Sequence, residues 1–319
     1  MDAVNNQKQG RTILVHNIFS ERFWLMEQRA AQAFMAARCF TNDKTEKEPW
    51  PMLRAPTKLR VGGRIVEVNA RSSSGRAASG FAITANGIAV IPIYGVLLKG
   101  MGQYGYPDPS HLKSTIKFAA QDSSVKGILL VVDSPGGATP GISDLADAVA
   151  EADQKLPVYG IVEDCGCSAA YWVLAGARKI FVNNYTASVG SIGVVAALHD
   201  SSAMYQQAGV RVIPITTGAM KSGGMDGVPI SDAQIEHVQG IINSIYGGFV
   251  KAVSKGRNLS TASINAMEGR VFCGREAKAR GLVDEIGSLD QCFSELQHAA
   301  ANYGGPNNRA KAKLAELER

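Results

Sequence analysis

From residue 88 onward, short runs of apolar, largely β-branched residues alternate with segments of helical length and helical periodicity. Residues 88–98, 125–132, 158–162, 179–182 and 210–215 read as strands. Residues 108–120, 141–152, 168–177, 201–207, 231–255, 274–280 and 289–300 read as helices. A strand such as 125–132 is apolar at nearly every position, so both of its faces must be covered. Buried strands interleaved with helices predict an α/β fold, a parallel sheet with helices on both faces. In such sheets the working residues sit in loops beyond the carboxyl ends of the strands. Two stretches fall at such ends: 133–137 and 163–168.

Residues 1–80 read differently. Residues 21–40 place Phe23, Leu25, Met26, Ala30, Ala33 and Phe34 on one helical stripe. A charged, proline-bearing connection covers 41–56, and 58–68 alternates around Gly62-Gly63 as a hairpin. Residues 71–80 are rich in Ser, Gly and Arg and read as a linker. The expected organisation is an amino-terminal helical and hairpin extension with linker (1–80), one catalytic-type α/β domain (81–300) and a charged helical or flexible tail (301–319).

Composition narrows the functional classes. A net charge of +5 on a chain that is 19% charged is modest. Its basic residues lack the aromatic interleaving of a single-strand binder, so no nucleic-acid partner is expected. The five cysteines are odd in number, and Cys165 and Cys167 are too close for a C-x-x-C site. The five histidines are scattered. No metal is assigned, and the cysteine usage suits a reducing compartment. The most apolar run, 88–98, is half the length of a spanning helix and contains Pro92 and Gly95. Residues 19–40 carry too many charges to span. Neither a signal peptide nor a membrane anchor is expected.

Three short stretches carry possible chemistry. The first is Asp133-Ser134-Pro135-Gly136-Gly137, a double-glycine turn after a strand. It can aim a backbone N–H at a developing oxyanion; a plain βα turn is the alternative. The G-x-x-x-x-G-K-[ST] run of a P-loop is absent, and no nucleotide cofactor is expected. The second is Ser168, in Cys165-Gly166-Cys167-Ser168-Ala169-Ala170-Tyr171-Trp172. It reads either as a simple helix N-cap or as a nucleophile beside free helix amides. The third is Lys221, in Thr217-Gly218-Ala219-Met220-Lys221-Ser222-Gly223-Gly224. It is an exposed loop lysine, or a general base whose pKa is lowered by apolar surroundings. Ser191, in Ser188-Val189-Gly190-Ser191-Ile192-Gly193, is a strand-edge serine or a hydroxyl that orients the lysine amine. His111 and His199 are the rival bases, and neither is flanked by a convincing orienting acid.

Taken together these residues resemble the protease IV/signal peptide peptidase A family of serine peptidases, from about residue 87 to 294. Besides the three stretches above, Gly190-Ser191-Ile192-Gly193-Val194, Gly269-Arg270-Val271-Phe272 and Ala277-Lys278-Ala279-Arg280-Gly281-Leu282-Val283-Asp284 follow in that family's order. The resemblance implies a Clp/crotonase-like fold built of ββα-type units. It implies a Ser-Lys dyad with Ser168 as nucleophile, Lys221 as base, Ser191 holding the lysine, and the Gly137 and Ala169 amides as oxyanion hole. The family often has glycines where this chain has Ala169-Ala170; alanine keeps the N–H. The resemblance further implies a homo-oligomeric ring, a peptide or protein substrate and no cofactor. Among family members the amino-terminal region is most like phage prohead (capsid-assembly) proteases. That points to scaffold and capsid proteins as substrates, in the host cytoplasm or the prohead interior. Alternatives are a cytoplasmic signal-peptide or oligopeptide-degrading peptidase, a catalytically silent assembly protein, and an acyl-CoA enzyme of the same fold.

Overall fold

The structure, a computed structural model, describes residues 24–26, 58–61, 64–67, 81–102 and 105–303. The expected connection at 41–56, the linker at 71–80 and all but the first three residues of the tail lie outside the described residues. In chain order the elements are β1 (Trp24–Met26), β2 (Lys58–Val61), β3 (Arg64–Glu67), β4 (Ala82–Ile83), β5 (Ile88–Tyr94), α1 (Pro109–Ala119), β6 (Gly127–Ser134), β7 (Gly136–Ala138), α2 (Ile142–Lys155), β8 (Val158–Cys167), α3 (Ala169–Leu174), β9 (Lys179–Val182), β10 (Ser188–Gly190), α4 (Ser202–Gln207), a 3-10 turn (Ala219–Ser222), α5 (Asp232–Arg257), α6 (Thr261–Asn265), β11 (Val271–Cys273), α7 (Gly274–Ala279), β12 (Glu285–Ile286) and α8 (Leu289–Asn302).

The central sheet runs β11-β10-β8-β6-β5-β4. β5, β6, β8 and β10 are parallel, and the edges β4 and β11 are antiparallel. Every residue of β6 is buried, because both faces are covered. On one face Leu130 and Val132 pack with Ile116 of α1, Val149 of α2, Leu174 of α3 and Phe249 of α5. On the other, Leu129 and Val131 pack with Cys292, Phe293 and Leu296 of α8. Trp172 stacks on Phe249 at 4.7 Å between centroids, tying α3 to α5. Gly256 brings the two helices close, since a Cβ there would lie 1.8 Å from the Ala175 carbonyl oxygen. The parallel-dominated α/β architecture expected from the apolar alternation is the one observed.

β8 is the strand that builds the site, and it divides. Tyr159 to Val162 pair with β9, whereas Cys165 to Cys167 pair with β10. Against β6 the register slips, with Val132 opposite Val162 but Ser134 opposite Gly166. The extra residues of this bulge bend the strand and re-aim its end. The Asp133 carboxylate bridges the slip by accepting the Cys165 N–H at 3.1 Å.

Two expectations are corrected. Trp24–Met26, read as helix, is a strand antiparallel to β7; a short apolar run suits either state, and here a sheet edge takes it. Residues 210–215, read as a strand, have no regular structure and are largely exposed. Their alternating apolar pattern finds no sheet among the described residues. The hairpin at 58–68 is present as β2 and β3, with Lys58 opposite Glu67 and Val61 opposite Arg64.

Candidate active site

The double-glycine turn is shaped by its neighbour at residue 97. Pro135 ends β6, Gly136 takes a φ of 105°, and the chain runs back beside Leu97. The Leu97 N–H donates to the Gly136 carbonyl at 2.9 Å, and the Ala138 N–H donates to the Leu97 carbonyl at 3.0 Å. A Cβ on Gly137 would stand 2.0 Å from the Leu97 oxygen, so only glycine fits. The Ser134 hydroxyl fixes the turn, donating to the Gly95 carbonyl at 2.6 Å and accepting the Gly136 N–H at 3.2 Å. Successive strand residues point their N–H and C=O to opposite edges. With Gly136 and Ala138 engaged by Leu97, the N–H of Gly137 faces the other way, along the edge that β1 covers.

Ser168 follows β8 directly. Its backbone is held in an unusual conformation, φ 55° and ψ −119°, and its N–H donates to the Gly190 carbonyl at 2.8 Å. It stands at the N-cap position of α3, yet its side chain makes no capping bond. The hydroxyl is buried, 1% exposed, and has no hydrogen-bond partner among the described residues. A sparsely populated backbone conformation costs about 1–3 kcal/mol, and an unsatisfied buried hydroxyl about 1–3 kcal/mol more. Both costs fall on one residue at a strand end, where nucleophiles of α/β enzymes sit. The simple N-cap reading therefore loses its support. The first amides of α3, Ala169 among them, have no intrahelical acceptor.

Ser191 lies beside Ser168. Gly190 is opposite Cys167 in the β8–β10 ladder, so the two serines leave adjacent parallel strands at the same end of the sheet. Ser191 also has positive φ, 52°, and its N–H donates to the Arg270 carbonyl at 2.9 Å. The Gly269-Arg270-Val271-Phe272 motif thus serves the site through β11, which pairs with β10.

Lys221 is not brought to Ser168. It lies exposed on the 3-10 turn, which Gln234 holds from α5 by donating to the Ala219 carbonyl at 2.9 Å and the Ser222 hydroxyl at 3.2 Å. The apolar surroundings expected for a lysine base are not formed among the described residues. Around it Ile213 is 67% exposed, Ile215 96%, and Met220 is also exposed. Neither His111 nor His199 bonds to Ser168, whose hydroxyl has no partner.

One buried acid near the candidate site was not singled out by the sequence reading. Asp133 is buried under the site, and burial, with Asp164 and Glu163 nearby, pushes its pKa up to about 6 despite the Cys165 hydrogen bond. Tyr94 donates to Glu163; burial first, then that bond, raises the Tyr94 pKa well above the usual phenol range. Asp133 stood inside a motif, but only the long-range β6–β8 register reveals its role. Among the described residues no group of three His, Cys, Asp or Glu could hold a metal ion, and no helix is long and apolar enough to cross a membrane.

Comparison with known proteins agrees with the geometry. Residues 150–302 match the profile of peptidase family S49, which is consistent with the Clp/crotonase-like fold expected for the chain. A Methanocaldococcus jannaschii protein named as a protease is 37% identical over 187 residues, 58% of this chain and 60% of that protein. An Enterococcus faecium protein named as a signal peptide peptidase is 32% identical over 184 residues, covering 57% and 53% of the two chains. The capsid assembly protease C of Escherichia phage lambda is 33% identical over 221 residues, covering 67% and 49%. The chain thus spans about half the length of the curated relatives it matches.

Proposed function

With a peptidase family S49 region at residues 150–302, we propose that this chain is a serine endopeptidase working through an acyl-enzyme on Ser168. The observation that carries the reading is the Ser168 hydroxyl, buried, unpartnered and on a strained backbone. Neutral Lys221 takes the Ser168 proton as Oγ attacks the substrate carbonyl. The Gly137 and Ala169 amides hold the oxyanion, Ser191 orients the lysine, and the resulting ammonium protonates the leaving amine. Water, deprotonated by the same lysine, then releases the acid product. No cofactor enters the reaction.

An exposed lysine is protonated at neutral pH, so this mechanism needs Lys221 buried. The bare apolar surface at Ile213, Ile215 and Met220 supports burial by another copy of the chain. The active form is then a homo-oligomer whose contacts complete the base. Resemblance to the phage lambda protease supports capsid and scaffold proteins as substrates. The Enterococcus relative supports the other reading, cleavage of signal peptides or oligopeptides.

Labelling with a fluorophosphonate tests the nucleophile: Ser168→Ala abolishes labelling, and equal labelling of that variant refutes the reading. Retained turnover in Lys221→Ala at neutral pH removes the base assignment alone. Binding of coenzyme A marks an acyl-CoA enzyme instead. Co-expression with capsid and scaffold proteins, followed by mass spectrometry of new termini, separates the two substrate classes.

A further inference from the structure

The edge of β7 that faces away from Leu97 is already occupied by the chain itself. β1 lies antiparallel on it, with Trp24 opposite Ala138, Leu25 opposite Gly137 and Met26 opposite Gly136. The Leu97 contacts use the Gly136 carbonyl and the Ala138 N–H. Only Gly137 therefore presents both its N–H and its C=O to β1. In an antiparallel ladder the residue opposite such a residue exchanges both bonds with it. The Leu25 carbonyl thus accepts the Gly137 N–H, and the Leu25 N–H donates to the Gly137 carbonyl. Met26 is opposite Gly136 in a non-hydrogen-bonded pair.

An extended peptide substrate would add to a free sheet edge in just this manner, and one edge accommodates one strand. The polarity is also that of a substrate. Trp24 and Leu25 lie opposite Ala138 and Gly137, and Met26 lies opposite Gly136. We propose that Trp24–Met26 is the chain's own first substrate, cut by Ser168 between Leu25 and Met26. The inference rests on the reading above that Gly137 supplies an oxyanion amide, because that amide holds the Leu25 carbonyl. In the reaction Ser168 Oγ bonds to the Leu25 carbonyl carbon and the Leu25–Met26 C–N bond breaks. The Ser168 proton passes through Lys221 to the Met26 nitrogen. Water then hydrolyses the ester, leaving a carboxylate on Leu25 and an amino terminus at Met26. The cut frees the β7 edge for an incoming substrate, an extended peptide with apolar residues around the scissile bond.

The test is intact-mass and amino-terminal analysis of the purified full chain, with Ser168 reactivity read separately by fluorophosphonate labelling. The wild-type chain is expected to yield fragments 1–25 and 26–319, and Ser168→Ala to stay whole. Leu25→Pro removes the N–H that β7 accepts and is expected to slow the cut at least tenfold while Ser168 still labels. A chain that labels at Ser168 but stays whole, or is cut elsewhere, overturns the inference and leaves the peptidase reading standing. So does a Leu25→Pro chain cut at the wild-type rate. A wild-type chain that neither labels nor cuts overturns both.

Discussion

Gly137→Ala separates catalysis from folding at a single atom. The added Cβ would sit 2.0 Å from the Leu97 oxygen and 2.7 Å from both the Leu97 carbonyl carbon and nitrogen. All three are backbone atoms, so no side chain can swing aside. Reaching the 3.4 Å of ordinary contact requires β7 to withdraw from Leu97 by about 1.4 Å. An oxyanion donor works within a window of about 2.7–3.1 Å, far narrower than that displacement. Losing one such donor costs about 2.7–4 kcal/mol, a 10²–10³-fold fall in rate. The folding cost is smaller. Two backbone bonds, Leu97 N–H to Gly136 and Ala138 N–H to Leu97, are weakened. At about 0.5–1.5 kcal/mol each, most of a domain's stability of about 5–15 kcal/mol remains. The assay is the second-order rate of fluorophosphonate labelling at Ser168, measured beside a urea unfolding curve. A cooperatively folded variant that labels a hundredfold or more slower is the expected result. Labelling within threefold of wild type would show that Gly137 does not position the oxyanion.

Ser168→Gly should abolish labelling yet raise stability by about 1 kcal/mol, since glycine relieves the positive φ and no buried hydroxyl is left unpaired; a lower melting temperature would contradict the strain assigned to Ser168. Asp133 has a folded pKa of about 6, above the unfolded value of 3.8. Its contribution to stability is therefore full below pH 3.8 and is lost as pH rises through 6. Asp133→Asn keeps an acceptor for the Cys165 N–H, so the melting-temperature difference, variant minus wild type, should grow from pH 4 to pH 6.5 and then level off; a flat difference counts against the burial cost. Gly256→Ala, whose Cβ would lie 1.8 Å from the Ala175 carbonyl oxygen, should part α5 from α3 and cost about 2–3 kcal/mol in denaturant unfolding, as overpacking does. Ile215→Asp places a charge on an almost fully exposed side chain. It should leave the monomer's melting temperature unchanged while lowering both the mass seen by light scattering and the Ser168 labelling rate; an unaltered assembly removes this loop from the interface.

Much of this arrangement is legible in the sequence because it depends on local signals. The apolar, largely β-branched runs at 125–132 and 158–162 mark strands wherever they fold. Pro135-Gly136-Gly137 marks a sharp turn, and the small, apolar run after Ser168 marks a helix start. A parallel sheet with helices on both faces follows from those strands. What stayed hidden depends on register between distant segments. The β6–β8 slip, bridged by Asp133, decides where Ser168 points, yet no spacing within either strand encodes it. The same holds at residues 24–26. Their stripe fits a helix as well as a strand, and the choice is made by the unpaired Gly137 edge more than a hundred residues away. Lys221 illustrates the opposite case. Its loop keeps the alternating apolar pattern of a buried strand, Val210, Val212 and Ile213 to Ile215, while among the described residues only Val212 is half-buried and the others stay exposed. A local pattern that predicts burial, combined with exposure in the single chain, is what the proposed contact with another copy would leave. On the proposed oligomeric reading, the segment expected as a strand and the lysine left without a serine share one physical explanation, a contact supplied by a second copy of the chain.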